Sequence, residues 1–325
     1  MKRFLVTVPI VGAGLMAALG LTIALGGPGK PPPAMSSIGD PFKDVDFSDL
    51  PEVSYVTARD GTKLAFRAYP AAGDAVKGSV VLVHGSSATG SSMHLMARGF
   101  AAAGYAAFAL DVRGHGKSGS KGHIAYIGQL EDDVEDFVHS TKLAQPCTLA
   151  GFSSGGGFVL RFAGSPRQEL FSNYLLLSPW ISQDAATLRP GNGGWATVGV
   201  PRIIATAVLD GFGVHVFDDL PVVRFAVDER DKGLLTPQYS FALAQNFRPE
   251  RLPGKHSSGE GTRSGARGSK RRGVVRRPVC SRFQGSWQRC SCGRSPGDRP
   301  HLTHTRSSRR PGGGRGGRKH GSRKA

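Results

Sequence analysis

Between residues 52 and 180 the chain alternates short apolar runs with longer amphipathic ones. "SVVLVHG" (79–85), the run from Cys147 to Phe152, and "NYLLLSPW" (173–180) are apolar without alternation, the pattern of strands buried on both faces. "YAAFALDVRGHG" (105–116) reads as a further strand running into a glycine turn. "SMHLMARGFAAAG" (92–104) and the acidic-fronted "LEDDVEDFVHSTKLA" (130–144) carry helical spacing, and a third helix starts over 155–162. "EVSYVTARDGTKLAFRAY" (52–69) is two strand-like runs joined through Asp60-Gly61, a strong hairpin signal. Buried strands interleaved with helices predict an α/β fold with a mostly parallel, doubly wound sheet covered on both faces. Residues 181–235, rich in Gly and Pro, break this rhythm and read as an inserted cap above the sheet edge.

The two ends follow different patterns. Lys2 and Arg3 precede an apolar run from Phe4 to about Gly26, long enough to cross a bilayer, since about 20 apolar residues suffice. Residues 1–28 therefore read as a transmembrane anchor with its positive flank in the cytoplasm and the body outside, on the periplasmic or extracellular side. Ala24-Leu25-Gly26 is a small-x-small site, so a cleaved signal segment and a secreted body stay open. A proline-rich linker, 29–50, follows.

Charge separates the C-terminal region from the rest. The net charge is +18, yet 21 of the 42 Lys and Arg and only 2 of the 24 Asp and Glu lie in residues 251–325. The body is near neutral, so the basic balance says nothing about its partners. Residues 248–325 lack strand periodicity, are poor in apolar residues and read as a disordered basic tail. Three of the four cysteines (Cys280, Cys290, Cys292) fall there, leaving Cys147 in a buried strand and no disulfide framework in the body. Cys290-Ser291-Cys292 without a second ligand pair is a weak metal signal. No metal and no cofactor is expected.

Gly151-Phe152-Ser153-Ser154-Gly155 fits G-x-S-x-G between a predicted strand and a predicted helix. Small neighbours let the backbone turn sharply there and lift the serine oxygen above the sheet, while the helix start offers free N–H groups to negative charge. Ser153 is thus the candidate nucleophile.

Three segments in this order, each following a predicted strand, carry a resemblance: "VLVHGSS" (81–87), "DVRGHGKSG" (111–119) and "GFSSG" (151–155). Residues 51–247 resemble an α/β hydrolase of the monoacylglycerol-lipase and lysophospholipase-like branch. The resemblance implies an oxyanion hole built from the backbone N–H groups of Ser86 and Ser154, with Gly85, Gly151 and Gly155 shaping the loop and the elbow. It assigns His84 to the oxyanion loop and His115 to a glycine turn, neither being the catalytic base. Asp111 reads as structural, and His94, His123, His139 and His215 as surface or packing residues.

The same resemblance requires, later in the chain, a strand with an Asp-bearing loop and another with a His-bearing loop. Nothing after Phe247 has that pattern; His301 and His304 follow no buried strand. The tail's Arg, Gly, Pro and Ser are what a GC-rich gene yields in the wrong frame. Reverse translation read one base later lets residues 262–283 become "LVLVLVGASDEVLFADRFAAVF", a buried strand with an Asp-Glu loop. Residues 297–308 allow "ATGHISLTLDP", with Gly-His at the start of an element. A one-base shift near Arg248 to Arg251 accounts for the missing acid and base, so their positions in this chain are unknown and the domain is truncated.

The expected function is hydrolysis of small acyl or lipid-like esters through an acyl-enzyme, impaired in this chain. Trp180 and Trp195 in the insertion, together with the anchor, favour substrates reached from the membrane side. Two other classes stay open: a non-catalytic binding protein on the same fold, and polyanion binding through the Arg/Gly-rich tail. Nucleic acid is disfavoured, because the tail holds one Trp and one Phe for stacking and an exported chain rarely meets it.

Overall fold

In the computed structural model, residues 2–35, 43–183, 185–186 and 189–249 are described, with side chains from residue 14 onward and excepting 190 and 192. The tail from residue 250 onward, including the segments 262–283 and 297–308, lies outside the described residues.

Six strands form the main sheet: β1 (Val53–Thr57), β2 (Lys63–Tyr69), β3 (Ser79–Val83), β4 (Ala106–Leu110), β5 (Cys147–Phe152) and β6 (Asn173–Leu177). Their spatial order is β1-β2-β4-β3-β5-β6. β1, β2 and β4 pair antiparallel, whereas β4 with β3, β3 with β5, and β5 with β6 pair in parallel. The Asp60-Gly61 turn closes the β1–β2 hairpin, with Thr57 opposite Lys63 and Gly61 at φ 85°.

Strand β3 shows why the sheet is covered twice. Its five residues are all buried, and alternate side chains enter different cores. Val81 and Val83 join a large cluster with Leu130, Val134 and Phe137 of one helix and Phe158 and Phe162 of another. Val80 and Leu82 join Met93 and Ala97 on the opposite face. The helices are α1 (Lys2–Leu25), α2 (His94–Ala102), α3 (Gln129–Ser140) and α4 (Ser154–Ala163). A period of two along an unbroken apolar strand thus gives the doubly wound layering.

The insertion is more regular than its composition suggests. It holds a second, antiparallel sheet of β7 (Ala196–Val198), β8 (Pro221–Phe225) and β9 (Gln238–Ser240), and a helix α5 (Val200–Gly211). This sheet runs to Ser240, past the residue 235 expected as the end of the insertion. Phe225 and Tyr239 pack into the same core as α3 and α4, so the cap is fastened to the body. A short α6 (Phe241–Asn246) follows, its start capped by the Ser240 hydroxyl, which accepts from the Leu243 N–H at 3.3 Å.

Helix α1 is 24 residues long, but the side chains of 2–13 are not described. Among the described residues no helix is long and apolar enough to cross a membrane. The last turns of α1 pack on α5, where Ile23 meets Ala205 and Leu209.

Candidate functional site

Strand β5 delivers the chain to Ser153, and α4 begins at the next residue. Ser153 sits at φ 54°, ψ −119°, a conformation that costs a non-glycine residue roughly 1–3 kcal/mol. Its backbone is tied down on both sides. The Ser153 N–H donates to Leu177 O at 3.0 Å, and its carbonyl accepts from Gly157 N–H at 3.1 Å and Trp180 N–H at 2.9 Å. The flanking glycines are required by close approach. A Cβ on Gly155 would strike the carbonyl oxygens of His84 and Val83, and one on Gly151 would strike the carbonyl of Gly155. Ser153 is half-buried, and among the described residues its hydroxyl has no hydrogen-bond partner. The arrangement presents a free hydroxyl on a rigid turn.

Two backbone donors are candidates for holding negative charge beside it. Ser154 opens α4, so its N–H has no acceptor within the helix. Among the described residues its own hydroxyl is buried without a partner. Gly85 faces the turn closely enough that a Cβ there would lie 3.3 Å from the Ser153 Cβ, which places the loop carrying Ser86 beside the nucleophile candidate.

That loop is clamped by the cap through Thr236 and Tyr239, which sequence reading did not single out. Ser87, at φ 67°, donates its hydroxyl to Thr236 O at 2.6 Å, and its carbonyl accepts from Thr236 N–H at 2.9 Å. The Ser87 N–H donates to Tyr239 Oη at 2.7 Å, and that hydroxyl in turn donates to His115 Nε2 at 2.6 Å. All four residues are buried. About 150 residues separate Ser87 from its partners, so no local pattern could have signalled the clamp.

The histidines nearest this loop have their ring nitrogens committed. Val112 N–H donates to His84 Nε2 at 3.2 Å, so the proton is on Nδ1, which donates to Gly85 O at 2.8 Å. His115 holds its proton on Nδ1, toward Arg113 O at 3.2 Å, because Nε2 takes the Tyr239 hydroxyl. Complete burial pushes the pKa of both rings down, and for His115 the neighbouring His84 adds to the effect. Both are therefore neutral and fixed in place. Asp111 is equally occupied, accepting from Gly90 N–H at 2.7 Å and Lys117 N–H at 3.0 Å.

The other described histidines serve elsewhere. His94 is buried between Tyr69 and Asp49, and His123 pairs with Asp219 at 2.9 Å. His215 Nδ1 lies 2.8 Å from Asp210 and 3.2 Å from Asp218. Those three form the one group with metal-ligand chemistry among the described residues. The imidazole itself already bridges the two carboxylates. His301, His304 and the tail cysteines lie outside the described residues.

Residues 74–210 match the family described as serine aminopeptidase, S33. A monoacylglycerol lipase from Mycolicibacterium smegmatis is 38% identical over 112 residues, a third (33%) of this chain and 39% of the relative. The match thus spans well under half of that curated protein. Among solved structures, a soluble variant of monoglyceride lipase from Saccharomyces cerevisiae is 24% identical at a TM-score of 0.44, covering 61% of this chain and 67% of that one. A monoacylglycerol lipase from Paleococcus ferrophilus is 20% identical at a TM-score of 0.42, covering 57% and 70%.

Proposed function

With an α/β-hydrolase core like that of monoacylglycerol lipase as premise, we propose that this protein is a serine hydrolase of small acyl or lipid-like esters. Ser153 is the nucleophile, and the N–H groups of Ser86 and Ser154 receive the oxyanion. The observation that carries the reading is the free hydroxyl of Ser153 on a strained, doubly anchored turn. A base removes the Ser153 proton as Oγ attacks the ester carbonyl, and the developing oxyanion falls to the two N–H donors. Collapse expels the alcohol, which takes the proton back from the base. Water then cleaves the acyl-enzyme by the same steps in reverse order.

The base and its orienting acid are not supplied in frame. Both rings near the site, His84 and His115, are neutral and bonded through each nitrogen, so neither can swing to Ser153. The sheet supports the same reading from its edge. β6, "NYLLL", has the sequence of an interior parallel strand, yet among the described residues it pairs on one side only, and none of its five residues is buried. A strand ending in an Asp loop, as the shifted frame offers, would cover that edge. Without base and acid, turnover falls to the roughly 10³–10⁴-fold over water that binding and oxyanion donors retain.

The N-terminal helix anchors the body to a membrane outside the cytoplasm. Its apolar sequence over 24 helical residues, about 36 Å at 1.5 Å per residue, supports this placement.

Two experiments test the proposal. A fluorophosphonate probe should label the protein at Ser153 and leave Ser153→Ala unlabelled; labelling that survives the substitution removes the nucleophile. Sequencing the gene should show an uninterrupted shifted frame across codons 262–308. Stop codons there would end the frameshift reading without touching the first result.

A further inference from the structure

The segment "DGFGVHVFDD" (210–219) carries three side chains of metal-ligand type, and its backbone folds them onto one spot. Asp210 stands in the last turn of α5, and the chain reverses just beyond it. Gly213 takes φ 79°, a value that favours glycine, and donates its N–H to Asp210 O at 2.9 Å, while Val214 N–H donates to Leu209 O at 2.9 Å. The reversal brings His215 back to the helix end. A second turn, closed by Asp218 N–H to His215 O at 3.0 Å, returns Asp218 to the same ring. Ala242 N–H donates to Asp218 O at 3.0 Å and fixes this turn to α6. His215 Nδ1 consequently lies 2.8 Å from Asp210 Oδ1 and 3.2 Å from Asp218 Oδ2, and one ligand atom from each residue falls within 4.8 Å of the others.

The charges at this spot do not balance. One ring nitrogen has one proton to give, so it satisfies one carboxylate and serves the other poorly. Even as an imidazolium, His215 brings a single positive charge to two negative ones. Among the described residues neither carboxylate meets a lysine or arginine. The second observation comes from Asp218 itself. It is 7% exposed, and the carboxylate that faces His215 keeps its other oxygen, Oδ1, buried with no hydrogen-bond partner among the described residues. Burying an unpaired polar atom of this kind is costly. Asp210 adds to the cost, because the C-terminal end of a helix carries partial negative charge. What the cluster lacks is a positive charge that meets several oxygens at once.

We propose that Asp210, His215 and Asp218 bind a divalent transition-metal ion of the zinc type, which enters in place of the bridging proton, with water completing its coordination. Zinc bonds of about 2.0–2.2 Å to nitrogen and oxygen put tetrahedral ligand atoms about 3.3–3.6 Å apart. The two distances at His215 Nδ1 therefore open by about half an ångström or less to reach the lower figure. An imidazole beside two carboxylates selects such an ion over calcium and magnesium, which take oxygen ligands. The His215 side chain is 62% exposed, so the ion has a route in from solvent and room for water. Bound there, it takes no part in the chemistry at Ser153. It cross-links the end of α5 to the turn that leads into β8 and stiffens the cap.

The test uses the full chain, with its cysteines alkylated so that the tail thiols bind nothing, and Zn²⁺ titrated in competition with a chromophoric chelator. Zinc held at this site, and not displaced by Ca²⁺ or Mg²⁺ at about a hundredfold excess, is expected. His215→Gln, at a mostly exposed position, and Asp210→Asn should each weaken that zinc at least about tenfold while circular dichroism stays unchanged. Zinc should also slow proteolytic cleavage within residues 211–217 severalfold in the parent chain and leave His215→Gln unprotected. Zinc held equally by the parent and both variants lies elsewhere, in the tail or as an adventitious ion only, and overturns the proposal. A chain that takes no zinc at micromolar concentration, or that prefers calcium, overturns it as well. No arm reads activity, so the assignment of Ser153 stands or falls on its own phosphonate labelling.

Discussion

Replacing Tyr239 by Phe isolates the clamp between cap and oxyanion loop. The ring keeps its packing, 4.6 Å from Phe225 in an edge contact and 5.6 Å from Phe247 in a stacked one. Only the hydroxyl goes, and with it the acceptor of the Ser87 N–H at 2.7 Å and the donor to His115 Nε2 at 2.6 Å. Both orphaned groups are buried; Ser87 and His115 are 1% and 0% exposed. Leaving a buried polar group unpaired costs about 1–3 kcal/mol, so two cost about 2–4 kcal/mol with partial relaxation. That is a large share of the roughly 5–15 kcal/mol available to a domain, and at a urea slope of about 2 kcal/mol per molar it lowers the midpoint by about 1–2 M. Urea unfolding followed by tryptophan fluorescence measures it. Tyr55→Phe, on the exposed face of β1, is the control and should leave the midpoint in place. If Tyr239→Phe unfolds with the control, the buried chain of bonds from Ser87 to His115 is energetically empty and the clamp fails as a source of stability.

Three further outcomes follow from the same geometry. His84 and His115 are neutral in the fold with pKa values below the ordinary histidine value of 6.5, so their contribution is fully present above about pH 6.5 and is lost as pH falls. Each should steepen acid destabilisation by about 1.4 kcal/mol per pH unit below that point until its folded pKa is reached; a stability flat between pH 6.5 and 5 would contradict burial in the neutral form. Gly155→Ala pushes a methyl into the carbonyls of His84 and Val83 and should cost about 3 kcal/mol or more, read as loss of soluble folded protein, whereas tolerance would show that the elbow is looser than drawn. Arg202→Met removes three side-chain bonds to backbone carbonyls and should speed proteolytic cleavage around residues 26–30 severalfold, with an unchanged rate placing the α1–α5 contact elsewhere.

The main sheet was legible because its strands are either unbroken apolar runs or a hairpin with an Asp-Gly turn. β3 and β5 could bury both faces, and nothing in their sequences competed with that. The elbow was legible for a related reason: its glycines answer to contacts made by the same two strands. The cap sheet was not, since β7 and β9 have three residues each, too few for periodicity to show, and gain their order from pairing with β8. Tyr239 and Thr236 were invisible for want of any local mark. Their role comes from meeting Ser87 across the fold. β6 illustrates the opposite case. Its sequence promised a buried interior strand, while the structure leaves every residue at least partly exposed, because no second neighbour covers it among the described residues.

In the proposed function the nucleophile is in place and the proton-handling pair is out of frame. Comparing kcat/KM on p-nitrophenyl esters for this chain and for the product of the same gene with one base corrected near codon 250 tests both halves together. A gain of several orders of magnitude on correction is expected, abolished by Ser153→Ala. A corrected, folded protein no more active than this chain, or one whose activity survives Ser153→Ala, would contradict the claim.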